Sequence, residues 1–209
     1  INEITLLNYP DSINLGTADD YYNVYTEAID QCAELQDRFT VLDVYRTIAN
    51  KQNWEDDIAV FRTKLSGTTD KLKYAAVYFP LLYTGVDYSF RLAADRTKNN
   101  DESVKIMGVA GFETLAALKQ GKNAEYFKAV NAIRNIEMQL PASAAVLGVY
   151  ADTDNSRGVW KAPANINISN VIRPELLITN KDQETLNIDP QAGKSINVIR
   201  YFEGRGPAI

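Results

Sequence analysis

With 209 residues, 45% of them apolar, the chain can bury the core of one large or two small domains and is not a disordered one. A single cysteine permits no internal disulfide, which suits a reducing compartment, and the absence of histidine excludes Ser-His-Asp and Cys-His chemistry within the chain. A net charge of −5 with scattered basic residues speaks against a nucleic-acid surface, and the longest apolar run, 74–86, is broken by Pro80 and too short to span a membrane.

Residues 4–7 form a short apolar run closed by Asn8, Pro10 and Asp11, the pattern of a buried strand. Thr17 then stands as a helix N-cap with Asp19 and Asp20 in the first turn, and Tyr21, Val24, Ala28, Cys32 and Leu35 share one face at helical spacing. On that stripe Cys32 is a core thiol rather than a nucleophile. Residues 39–44 read as a buried strand ending near Asp43, the best-placed acid for catalysis; the plainer role is to accept backbone donors in the loop that follows. Asn53 can cap a second helix with Trp54, Ile58, Phe61 and Leu65 on one face, ended by Ser66 and Gly67. Residues 74–79 give a third strand stopped by Pro80, and right-handed crossovers would lay all three parallel. The pattern is α/β with a mainly parallel sheet, plus a smaller inserted or terminal piece.

From residue 83 the chain turns polar, with 98–101 as an exposed tip, and helices are expected over 112–119 and 123–139, the second carrying Phe127, Val130 and Ile133 on one face. We place this excursion at 83–137 and the main domain at 1–82 with 138–209. Pro141 and Ser143 precede an apolar run, so a helix capped by Ser143 should start near Ala144 and stop in the turn-forming run 152–156 before Gly158. Val159, Trp160 and Pro163 then suggest an ordered, packed loop with Trp160 as its buried anchor rather than a stacking platform for a ligand. Arg173-Pro174 splits two apolar runs, a short helix can cover 182–186, and 196–202 alternates as a strand until 204–207 break it. Gly193-Lys194-Ser195 ends like a phosphate loop but has Ile188 where glycine is needed, and Asp152-x-Asp154 has calcium-loop spacing spoiled by Arg157 and Pro163. No catalytic, cofactor or metal residues are assigned.

The string GVYADTDNSRGVWKAPAN, residues 148–165, resembles the most recognisable stretch of the tail sheath proteins of contractile phages and contractile injection systems. CAELQDRFTVLDV (32–44), KYAAVYFPLL (73–82) and ETLNIDPQAGKSINVIRYFEGRGP (184–207) resemble that family in the same order, whereas 83–137 does not. The resemblance implies a subtilisin-like middle portion, three layers with helices on both sheet faces, from a parent chain continuing beyond both ends. It implies a structural subunit, not an enzyme, that needs no cofactor. Its partners would be neighbouring sheath subunits in helical rings, an inner tube, and baseplate and terminator proteins. Contraction would drive the tube through a target envelope. No signal peptide is seen, and the location implied is a virion tail or injection particle assembled in the bacterial cytoplasm; this piece alone would be monomeric. Two readings stay open beside it: a hydrolase-like enzyme using Asp43 or Ser143, and a small-molecule module at the strand ends.

Overall fold

The computed structural model describes residues 4–46, 53–86, 105, 107, 110–189 and 193–209, and the chain divides into two units, 1–82 with 140–209, and 83–139. In the first, β1 (Leu6–Leu7) leads through a 3-10 turn to α1 (Ala18–Leu35), β2 (Phe39–Asp43), α2 (Trp54–Lys64), α3 (Thr69–Leu72) and β3 (Ala75–Phe79). Each return between strands passes through a helix, so β1, β2 and β3 pair in parallel, Leu6 opposite Phe39 and Val41 opposite Ala76. Thr17 Oγ1 accepts the Asp20 N–H at 3.1 Å, satisfying an orphan donor at the start of α1, and Gln36 in the left-handed conformation (φ 56°) closes its end. Tyr22, Tyr25 and Ile29 join Tyr21, Ala28 and Cys32 in the buried face of α1. Leu35, expected on the same face, is exposed in the last turn.

The second unit contains α4 (Leu115–Gly121) and α5 (Asn123–Arg134), and the strands at its two ends, β4 (Leu82–Thr84) and β5 (Met138–Leu140), each have one residue in the first. Thr114 Oγ1 accepts the Ala117 N–H and starts α4 later than expected, and Leu115 and Leu118 are its buried residues. Of the three residues expected on one face of α5, Val130 and Ile133 are half-buried while Phe127 is 56% exposed, and no residue of the helix is fully buried. It also stops short of residue 139, because Met138 and its neighbours enter a strand and the Met138 carbonyl accepts the Thr84 hydroxyl at 3.1 Å. The proposed tip at 98–101 lies outside the described residues.

Back in the first unit follow α6 (Ala142–Arg157), β6 (Val171–Pro174), α7 (Asn180–Asn187), β7 (Asn197–Val198), β8 (Arg200–Phe202) and β9 (Gly206–Ala208). α6 begins earlier and runs further than its composition suggests. The residues read as a turn, 152–156, are helical; Thr153 is buried and its hydroxyl donates to the Val149 carbonyl at 2.7 Å, meeting its polar need inside the helix. Arg173-Pro174 closes β6 instead of dividing two runs, a strand end being where the missing proline N–H does least harm. Thr179 and Asp182 form a reciprocal capping box on α7. The stretch read as one strand over 196–202 is two: β7 extends the parallel sheet beside β3, while β8 pairs antiparallel with β9, itself made from the residues expected only to break the strand.

Strand alternation sorts the core into two layers. Leu42, Val44, Val77 and Phe79 pack with Tyr21, Ile29, Ile58 and Phe61 from α1 and α2; on the other face Val41 and Tyr78 pack with Ala142, Val146 and Val149 from α6. The sheet order is β1-β2-β3-β7 with helices on both faces, a three-layer α/β architecture.

Candidate functional site

The carboxyl end of β2 brings the two candidate hydrolase residues together. Asp43 is buried, and its Oδ1 accepts the N–H groups of Ala142 (2.7 Å) and Ser143 (3.0 Å), 99 and 100 residues along the chain. Pro141, at the N-cap of α6, offers no side-chain acceptor, so this strand carboxylate satisfies the helix's first donors and lies at the positive end of its dipole. The plainer reading of Asp43 holds in kind, with a distant helix in place of the next loop. Burial pushes the carboxyl up to about 6, against the pull of Ser143 and the two N–H groups. Ser143 is not the cap; it contributes an N–H, and its fully buried hydroxyl donates to Asn8 Oδ1 at 3.3 Å. An amide stands where a hydrolase would place a general base.

The rest of this strand end, where open α/β sheets receive ligands, is filled from α1. The Tyr21 hydroxyl donates to the Asp43 carbonyl (2.9 Å) and accepts the Asp43 N–H (3.2 Å), Tyr22 accepts the Tyr45 N–H (3.0 Å), and Tyr45 donates to the Leu15 carbonyl (2.8 Å). Burial holds the Tyr21 and Tyr22 phenols well above their ordinary range.

Just beyond lies an ion triad that sequence reasoning missed. Arg46 Nη1 meets Asp57 at 2.6 Å and Nε meets Glu175 at 3.1 Å, with side-chain exposures of 1%, 13% and 6% for the three residues. Arg46 and Glu175 are 129 residues apart, a pairing that no local pattern announces. Burial raises the Asp57 carboxyl even against the neighbouring guanidinium. Other candidates have structural duties. Cys32 is buried and burial raises its thiol. The Lys194 ammonium donates at 2.6 Å to the Arg62 carbonyl in the last turn of α2. Among the described residues no cluster suits a metal, and no helix is long and apolar enough to cross a membrane.

The loop after α6 overturns an expectation. Trp160 is 84% exposed and Val159 82%, so the indole is no core anchor. Gly158 (φ 91°) ends the helix, and a Cβ there would come within 2.2 Å of the indole. The ring therefore lies back over a position only glycine can supply. The far end of the loop is tied to the β8–β9 hairpin. Ile168 N–H donates to the Pro207 carbonyl (3.0 Å), Ile209 N–H to the Ile166 carbonyl (3.2 Å), and Arg205 Nε to Asn167 Oδ1 (2.9 Å), while Arg205 Nη2 donates to the Asn165 carbonyl. The end of RGVWKAPAN, at Asn165, and GRGP, distant in sequence, thus meet.

No protein-family model matches the chain, and no curated protein does. Solved structures do. A contractile injection system PVC sheath complex in the contracted state is 23% identical with a TM-score of 0.54, and the contracted helical sheath of the anti-feeding prophage is 25% identical with a TM-score of 0.53; each match covers 100% of this chain. A chain of the contracted anti-feeding prophage baseplate is 20% identical with a TM-score of 0.58, over 97% of this chain. The architecture is that of sheath structures of contractile injection systems. The likeness is to one portion of them, since this chain spans only 38–39% of the length of those chains.

Proposed function

We propose that the chain is the core portion of a contractile-sheath subunit, a structural protein that packs with copies of itself in helical rings around an inner tube and contracts without turning over a cofactor. The observation that carries this is the match of the whole chain to a helical sheath at 25% identity. The same segments that resemble the family in sequence supply β2, β3 and β7 of the parallel sheet, the second half of α6 and most of the β8–β9 hairpin. Neighbouring subunits, the inner tube, and baseplate and terminator proteins are its partners, in a virion tail or injection particle assembled in the cytoplasm. The lack of histidine and the burial of Ser143 against Asn8 support a non-enzymatic role.

Expressing the full-length subunit, with and without its tube protein, and imaging the product by negative-stain microscopy tests this. Hollow tubes of sheath dimensions are expected. Dispersed particles under all conditions, or ester, peptide or phosphate hydrolysis abolished by Asp43→Ala or Ser143→Ala, would refute the proposal.

A further inference from the structure

Trp160 projects from a fixed loop. The ring rests over Gly158, Arg205 ties down the loop's far end, and Arg157 and Lys161 flank the exposed Val159–Trp160 pair. An aromatic held outward within a charged rim has the make-up of a contact anchor. On the opposite face of the sheet, the C-terminal end of α1 and α3 border an open groove of about 440 Å³, lined by Asp30, Ala33, Glu34, Asp70, Lys71 and Tyr74 among others. Lys71 is held by Asp30 at 2.7 Å and Lys73 lies over the Tyr74 ring, which leaves Glu34 and Asp70 as groove carboxylates without a salt bridge among the described residues.

We infer that the Arg157–Lys161 loop of one subunit docks into the α1/α3 groove of a second copy. Trp160 lies against Ala33 and Tyr74, and Arg157 and Lys161 face Glu34 and Asp70. The inference rests on the sheath reading. Three features select a second copy as the occupant. The loop offers two cations, and the groove, whose three acids and two lysines sum to −1, offers Glu34 and Asp70 as carboxylates outside any ion pair among the described residues. Loop and groove belong to helices on opposite faces of one sheet, so the contact is heterologous and can propagate from copy to copy, as a helical array requires. Finally, an indole and a valine bury far less than the roughly 800 Å² per partner of a stable pairwise interface, so the contact gains strength only by repetition.

The test is charge reversal in tubes of the full-length subunit, read as the critical concentration for tube growth. Arg157→Glu with Lys161→Glu, and separately Glu34→Lys with Asp70→Lys, should each raise that concentration about tenfold or more. All four together should restore growth. Trp160→Ala should impair growth as well, without moving the urea unfolding midpoint. Normal growth of the loop variant, or no recovery in the fourfold variant, overturns the docking pair. Absence of tubes from the unaltered subunit would remove the sheath reading itself, and this contact with it.

Discussion

Asp43 shows how a residue that invites a catalytic reading can be held in place by architecture. Its carboxyl, raised to about 6 in the fold against about 3.9 in an unfolded chain, binds its proton more tightly when folded. The group's contribution is therefore fully present below about pH 4 and is lost as pH rises through 6, after which burying the charge costs on the order of 3 kcal/mol. Asp43→Asn keeps an oxygen for the Ala142 and Ser143 N–H groups and removes the titration. In urea unfolding from pH 4 to 8, the wild type should lose stability relative to this variant as pH rises, and a constant difference would show that the carboxyl is not desolvated. Trp160 teaches a complementary lesson. An aromatic near a proline is commonly buried, but here the glycine two residues earlier gives the ring a place outside.

Among the elements, those whose cause is local could be read in the sequence. Thr17 caps α1, and 39–43 and 75–79 alternate or run apolar as buried parallel strands do, whereas the Thr179 cap, which starts α7 before the expected 182, was not read. What could not be read joins distant residues: Asp43 to the start of α6, Arg46 to Glu175, Arg205 to Asn165. Boundaries failed where tertiary burial overrode composition, as when Thr153 was drawn into α6. The triad links the third residue after β2, the first turn of α2 and the residue after β6. Arg46→Met would strand two buried carboxylates and should cost about 3–5 kcal/mol in urea unfolding. Replacing Asp57 and Glu175 by leucine in the same variant should regain most of it; no recovery would mean that packing, not charge, is what Arg46 supplies.

At the scale of the molecule, the α/β class, the parallel sheet and the likeness to sheath proteins were all legible, because strands and crossover helices alternate and the family's strings stand in order. The loop–hairpin surface was not, since nothing in either string says that the two meet. The docking contact inferred here is too small to hold a pair of subunits together. The 209-residue chain by itself should accordingly be monomeric in light scattering at micromolar concentration, and tubes built from it alone would show that assembly needs nothing beyond these residues.

The seam between residues 165–168 and 205–209 has a mechanical consequence. Its rungs at Ile168 and Ile209, with the Arg205 guanidinium beside them, join the segment leaving α6 to the segment leaving the sheet through β8. Tension applied to one is shared by the other. A pull on the hairpin is shared between Ile199, the single residue that joins β8 to β7, and these cross-links, so the core strand and the segment that follows the Trp160 loop are loaded together.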